Sequence, residues 1–398
     1  MANNLSALSA EYWSKRMQTL LRKALVSKEF TNQEERELLK NGQQVHRPYT
    51  SDPYVTDYTK GTDVTIQDIT ATDESLTVDQ SKVVPVYVDG DDVTQNSYDT
   101  VNNLIDRSVH MLQRDIDHAA LSEVENMTYD IDDGDIGGTS GDAIDLSTSN
   151  CTNTFGTTHA ELAAGNVEND KSWYLAVWPH TVNIIMQTFV TNGFQTADLS
   201  MRNGFLGDWL GFKVLQSNSV LNSVSLGIAT NPTANDTFVI NGVTFTFKAT
   251  PSSAGEVDIA GSAAATVDNI VAAINGTGTP SASTYIELSA ANRAKLKNTQ
   301  VVATDNTTAV GITSAGRMNL SETLTAAADK FSIQTEKAMA GRVGNVDMVI
   351  QTAPSVHIKD EPKKLGKNYL SHTLYGIKTF QEGADRGCEI NIQASAAT

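Results

Sequence analysis

Between residues 96 and 127 the apolar side chains recur at a helical period: Val101, Leu104, Ile105, Val109, Leu112, Ile116, Ala119, Ala120 and Val124. That stripe predicts one long amphipathic helix. Asn96 or Ser97 can cap it and Asp99 suits its first turn. About 30 residues at roughly 1.5 Å each make a rod near ~45 Å, long enough to serve as a spine. A second stripe, Leu8, Tyr12, Trp13, Met17, Leu20, Leu21 and Leu25, predicts a helical segment within residues 5–40.

Elsewhere the period changes to two. Val64 and Ile66 alternate with Thr and Asp, and Leu76 and Val78 repeat the pattern. Lys82–Val88 is a third β-rich run, and Lys60-Gly61 and Thr72-Asp73-Glu74 are turn signals. Residues 54–88 have too few apolar positions to cover both faces of a hairpin. They read as an extended arm that needs another chain to pack on. Trp173–Trp178 is a continuous apolar run and predicts a buried strand. Pro179 ends it and can open a helix through Val190. Residues 204–215 are Gly-rich and then strand-like. Residues 129–156 read as loop.

Residues 228–330 differ in composition, being rich in Ala, Thr, Gly, Asn and Ser. Thr237–Phe247 predicts a hairpin around Asn241-Gly242. A helix at Ala263–Asn275 and β-runs at Thr284–Leu288 and Gln300–Thr304 complete a small α+β module inserted in the main domain. Val346–Gln351 predicts a strand, and Tyr369–Phe380 and Cys388–Gln393 predict closing strands of a sheet.

Composition narrows the function. The chain has 398 residues, 40% of them hydrophobic, with 47 acidic against 29 basic residues and a net charge of −18. Such acidity argues against a dedicated nucleic-acid binder or a protein held on an anionic membrane. Lys15, Arg16, Arg22, Lys23 and Lys28 make the N-terminal stripe the most basic stretch; a solvated face is its plainest meaning and an acidic partner the other. Two cysteines, Cys151 and Cys388, exclude a disulfide framework and a cysteine-based metal site. No apolar run reaches the ~18 residues of a membrane helix. The N-terminal sequence lacks the pattern of a signal peptide, so the expectation is a protein made in a reducing cytosol.

No catalytic constellation emerges. The seven histidines include no His-x-x-x-His pair, and there is no Gly-x-Ser-x-Gly elbow, Walker loop or dinucleotide fingerprint. Asp130, Asp132, Asp133 and Asp135 invite a calcium reading. They miss the EF-hand pattern, with Gly134 and Asp135 at positions five and six and no Glu at position twelve. No catalytic residue, cofactor or metal ligand is assigned.

Four segments, taken in order, carry a resemblance. They are Ser9-Ala-Glu-Tyr-Trp-Ser-Lys15 with Asn41-Gly-Gln-Gln-Val45; Val55–Thr62 running through Leu76–Asp79 into Val86–Gln95; Gly207–Asn218; and Tyr369–Phe380. In this order they resemble the major capsid proteins of tailed bacteriophages, the Hong Kong 97-type fold, an α+β architecture. The resemblance implies an N-terminal arm (1–53), an extended loop (54–93), a peripheral domain with the spine helix (94–172) and an axial domain (173–227). It further implies an insertion domain (228–330) and a return to the axial domain with closing peripheral strands (331–398). It implies a coat protein that self-assembles through hexamers and pentamers into an icosahedral head enclosing double-stranded DNA. No enzymatic turnover and no sequence-specific DNA contact are expected. The shell would be made in the bacterial cytoplasm and end in the virion. A separate scaffolding protein, a portal and a decoration protein are the partners it suggests. Trp13, Tyr58, Lys60, Trp209 and Tyr375 are the inter-subunit contacts expected on this basis.

Some members of that fold crosslink a loop lysine to a neighbour's asparagine, and Lys60 beside Gly61 holds such a loop position. The carboxylate and asparagine that chemistry needs are not identifiable, so a solvated lysine is the plain reading. An encapsulin-type bacterial shell shares the fold and is the first alternative. An acidic phage fibre or cell-surface β-rich protein is another, and a soluble enzyme a third.

Overall fold

The computed structural model describes residues 25–34, 39, 42–95, 100–191, 208–326, 329–360 and 364–394. Of the helix predicted within residues 5–40, the part up to residue 24, with Trp13 and the Lys15–Lys23 basic cluster, lies outside them, as do the candidate caps Asn96 and Ser97. The described part is corrected: it makes a short 3-10 turn at Ser27–Glu29 and then a strand at Thr31–Asn32, because Val26 and Phe30 turn into the core beside the spine.

The chain begins with β1 (Thr31–Asn32), the ribbon strands β2 (Gln44–Thr50) and β3 (Ala71–Thr77), and β4 (Gln80–Val88). Helices α1 (Gly90–Gln95) and α2 (Thr100–Ser122) follow, then β5 (Tyr129–Ile131), α3 (Cys151–Ala164), β6 (Trp173–Val177) and α4 (Pro179–Thr191). Next come β7 (Asp208–Trp209), β8 (Phe212–Gln216) and β9 (Leu221–Gly227). The compositionally distinct segment supplies β10 (Thr237–Ile240), β11 (Val243–Lys248), β12 (Glu256–Asp258), α5 (Ala263–Asn275), α6 (Ala290–Asn298), β13 (Val302–Asp305), β14 (Ala309–Ala315) and β15 (Leu320–Glu322). β16 (Thr335–Arg342), β17 (Val346–Asp360), β18 (Lys367–Lys378), α7 (Gln381–Ala384) and β19 (Gly387–Gln393) complete it.

β6 explains the largest sheet, of nine strands. All five of its residues are buried, because both faces are covered. Trp173, Leu175 and Val177 meet Phe155, Leu162, Ile185 and Phe189 of α3 and α4. Tyr174 and Ala176 meet Phe30, Leu121 and Val124 on the other side. A strand covered twice needs an unbroken apolar run. Its neighbour β16 sits at the centre, antiparallel to β6 and β9 along one side and to β19 along the other. Glu336 of β16 is buried and caps α4: Trp178 N donates to Oε1 at 2.7 Å and Thr181 Oγ1 to Oε2 at 2.8 Å.

The spine, α2, lies between this sheet and a second one ordered β1-β17-β18-β4. Ile116 packs on Met348 and Tyr375 of the second sheet, while Ala120 and Leu121 join the core beneath β6. Asp117, fully buried, accepts from Val26 N at 2.8 Å and Ser27 N at 2.7 Å, which ties the N-terminal segment to the spine. Among the described residues the helix ends at Ser122, short of the expected 127. It has 23 residues, about 35 Å at 1.5 Å per residue. It tightens into a 3-10 turn at Glu123–Asn126, where Glu123 Oε2 accepts from Thr379 N at 2.9 Å.

Other expectations are corrected. The predicted strand around Val64 and Ile66 is irregular backbone, because among the described residues the facing segment meets it only through isolated bonds at Gln67 and Thr70 and not through a backbone ladder. Residues 129–156 are not all loop: β5 lies there and α3 starts at Cys151. The acidic loop is held by its own carboxylates, with Gly134 N and Gly141 N donating to Asp132 at 2.7 and 2.6 Å and Thr139 N to Asp133 at 2.9 Å. Thr284–Leu288 is not a strand; only Tyr285 bridges to Val257. The closing strands part company, since β18 joins the second sheet with β17 and β4 whereas β19 returns to the nine-stranded one.

Residues 228–330 contain a sheet of their own, β12-β11-β10-β15, with the expected turn at Asn241 (φ 52°) and Gly242 (φ 73°). Helix α5 is capped by Ser262, which accepts from Ala265 N, and ends on Gly276 at φ 67°. The ends of the segment adjoin, because buried Asp329 accepts from Ala229 N at 2.7 Å and Thr230 N at 3.2 Å. The segment is less separate than its composition suggests. β14 pairs with β9 along its whole length, and Val224 and Leu226 share one core with Phe238, Phe245 and Ile270. β13 forms the edge of the large sheet. There the Asn275 side chain donates to Ala303 O at 2.7 Å and accepts from Ala303 N at 2.9 Å. Two further edge strands are short: β7 has two residues, and β5, beside β19 on the other side of β16, has three.

Candidate assembly surfaces

The ribbon β2–β3 projects from the base of the second sheet. Its register runs from Gln44 opposite Thr77 to Thr50 opposite Ala71. At the base, Val45, Leu76 and Val78 pack with Leu39, Leu374, Val349 and Phe380. Beyond Thr50 the chain continues as an irregular tip. Ser51 N donates to Thr70 O at 2.9 Å, and Tyr54 N to Gln67 Oε1 at 3.0 Å. The tip closes in a turn in which Thr62 N donates to Thr59 O at 3.1 Å and Gly61 takes φ 90°, a conformation suited to glycine.

The tip exposes what a core would bury. Val55 is 98% exposed and Ile66 89%, and Tyr54, Tyr58, Val64 and Ile69 are each at least 59% exposed. Residues 51–70 also carry Asp52, Asp57, Asp63 and Asp68 against the single base Lys60. A two-stranded ribbon has marginal stability alone, and contiguous exposed apolar side chains mark contact surfaces. The chemistry on offer is an acidic, aromatic and aliphatic finger with a fixed root.

Of the expected contact residues, the structure brings Tyr58 and Lys60 together at the exposed tip, and Lys60 has no ion-pair partner among the described residues. Trp13 lies outside the described residues. Trp209 and Tyr375 are corrected. Trp209 is 7% exposed, set edge-on against Phe155 and Phe189 at 5.2 and 5.5 Å, so it belongs to the chain's own core. Tyr375 is 1% exposed and donates to Asp115 Oδ2 at 2.7 Å. Burial, then the Asp115 charge, pushes its phenol up.

Sequence reasoning did not single out the residues that root the arm. Arg47 reaches Asp347, Glu74 accepts from Gln381 N at 3.0 Å, and Gln351 Nε2 donates to Leu39 O and Gly42 O at 2.7 and 2.9 Å. These partners lie some 300 positions apart, and no local pattern links them. Among the described residues no group of three or more metal-type donors is gathered, and no helix is long and apolar enough to cross a membrane.

No protein-family model and no curated protein sequence matches the chain. Solved structures do. A structure from Mycobacterium phage Che8 superposes with a TM-score of 0.57 at 13% identity, covering 96% of both chains. The capsid structure of the cyanophage P-SCSP1u gives 0.56 at 11% identity, covering 100% of this chain and 96% of that one. The bacteriophage PhiM1 mature capsid gives 0.52 at 10% identity, over 98% and 93%. The fold is the Hong Kong 97-type α+β capsid fold.

Proposed function

We propose that this chain is the major capsid protein of a tailed bacteriophage, a coat subunit that self-assembles into the head shell around double-stranded DNA. The observation that carries the reading is the arm: its root is fastened into the fold and its tip presents six large apolar side chains to solvent. A subunit that must interlock with copies of itself needs such a finger. A self-sufficient domain would be destabilised by it. The fold, shared with phage capsid structures over nearly the whole chain, supports the same conclusion.

In this reading the N-terminal segment and the extended loop are the interlocking parts, the loop running as the ribbon from Gln44 to Thr77, while β4 of the expected 54–93 segment belongs to the body sheet. Residues 94–172 and the β17–β18 pair make the peripheral domain. Residues 173–227 with β16 and β19 make the axial domain, and 228–330 the insertion. The role is structural, without turnover. A scaffolding protein, a portal and a decoration protein are the proposed further partners. DNA is enclosed without sequence-specific contact, consistent with the net charge of −18. The subunit is made in the host cytoplasm and its destination is the virion. Negative-stain electron microscopy of the chain expressed with its scaffold tests the proposal. Closed shells or tubes are expected, and only small discrete oligomers under every condition would refute it.

A further inference from the structure

We infer that the Arg47–Glu74 rung is the fulcrum of the arm, and that these positioning residues set the angle at which one subunit joins the next. The inference rests on the shell-subunit reading. The ribbon register places Arg47 directly opposite Glu74. Both are fastened to the body, by different partners. Arg47 Nη1 and Nη2 donate to the two carboxylate oxygens of Asp347 at 3.2 and 3.3 Å, a fork meeting a fork. Its guanidinium also lies over the Phe380 ring, 4.3 Å from the centroid. Glu74 Oε2 accepts from the backbone N of Gln381, the residue after Phe380, at 3.0 Å. Both strands of the ribbon are thus clamped at one level.

That level divides the arm. Below it, Leu76 and Val78 are buried in the base cluster. Above it, Tyr49 is 43% exposed and, among the described residues, no strand position of the ribbon is buried before the tip. A free two-stranded ribbon has little stiffness of its own, so its direction is inherited from the last fixed rung. Even the ~10 Å of ribbon between Arg47 and Thr50 turns a tilt of about 15° into roughly 2.5 Å at its end, and the tip lies further out. A displacement of that size is enough to unseat packed side chains.

Asp347 extends the role. Its side chain is 3% exposed and also accepts from Asn32 Nδ2 at 2.9 Å. Asn32 belongs to β1, which pairs in parallel with the start of β17. One buried carboxylate therefore holds both the N-terminal strand and the arm, so displacing either alters the support of the other. A planar, bidentate and stacked cation is required at position 47. Lysine has the charge without the fork.

The test uses the full chain in three forms: wild type, Arg47→Lys, and Arg47→Met combined with Asp347→Asn. The double variant removes both charges of this pair together. Hydrogen exchange is followed on the unassembled chain, and particle diameters are measured by electron microscopy. The double variant should melt within a few degrees of wild type, its Tyr49–Thr50 and Ala71–Thr72 amides should exchange about ten-fold faster, and its particles should lose the single wild-type diameter class. Arg47→Lys should resemble the double variant. Wild-type exchange together with wild-type diameters in the double variant would overturn the inference. Failure of the wild-type chain to form any shell under every condition, its scaffold included, would instead refute the capsid reading, while the exchange data would still decide whether the rung clamps the arm.

Discussion

Gln300, at the end of the α6 turn, donates its side-chain amide to Asp115 Oδ1 of the spine at 2.8 Å, while Tyr375 holds the other oxygen of the same carboxylate at 2.7 Å. One acid thus joins the insertion, the spine and the second sheet. Hydrogen bonds to a charged group contribute about 1.5–3 kcal/mol. Gln300→Ala and Tyr375→Phe should each destabilise by about 1.5 kcal/mol, and Asp115→Ala by about 3 kcal/mol. Urea midpoints measure this. An unchanged midpoint in Gln300→Ala would mean that the insertion is not latched to the spine.

The tip should be dispensable for folding and needed for closure. Replacing residues 53–68 with a short Gly-Ser turn spares the β2–β3 ribbon and the buried Leu76 and Val78. The variant should stay soluble and melt near the wild-type temperature, yet give no closed particles by sedimentation. Normal particle yield would remove the interlocking role.

Excising the insertion should be costly, contrary to what its composition suggests. Removing residues 230–328 takes away β14 and leaves β9 as an uncovered edge, with Leu226 and Val224 stripped of their cluster. Open apolar edges aggregate. The expected outcome is loss of soluble protein, read by pelleting. The single change Asp329→Ala should lower stability by about 2 kcal/mol, because it unpins Ala229 and Thr230 without exposing an edge.

Glu336 makes stability pH-dependent. Burial pushes its carboxyl from the ordinary 4.5 up to about 7, against the pull of the Trp178 and Thr181 hydrogen bonds. The native state therefore keeps a proton that the unfolded chain has lost. Its contribution is full below pH 4.5, declines as the pH rises, and is gone above about 7. The span is worth about 3 kcal/mol. Glu336→Gln should flatten the stability profile between pH 5 and 8 and exceed wild type at pH 8. A parallel profile in the variant would assign the slope elsewhere.

Where a physical signal was local, the sequence was legible. The unbroken run of β6, the Asn241-Gly242 turn and the stripe of α2 each state their structure within one continuous stretch, at most 23 residues long. Helix α3 escaped because its buried positions include Cys151, Thr154 and Thr158, which fill space without a strong apolar signal. The far half of β17 escaped because register shifts between Ile350 and Ser355 break the two-residue alternation. The exposed tip was legible in Tyr58 and Lys60. Its anchorage was not, because Arg47 and Asp347 become neighbours only through the fold. The resemblance put Trp209 and Tyr375 at subunit contacts; the partners that cover them within the chain, Phe189 and Asp115, sit on helices 20 and 260 positions away, where no local pattern shows them.

The seal that Asn275 places on Ala303 has a consequence for how copies meet. With the β13 edge occupied at Ala303 by a side chain and the other edges, β7 and β5, only two and three residues long, the large sheet gives a second copy little backbone to extend. Contacts made there must be through side chains, and each is individually weak. In a shell built as proposed, a wrongly seated subunit would then dissociate and try again, so a guarded edge would serve as proofreading, favouring reversible annealing over the one-way growth of a fibril.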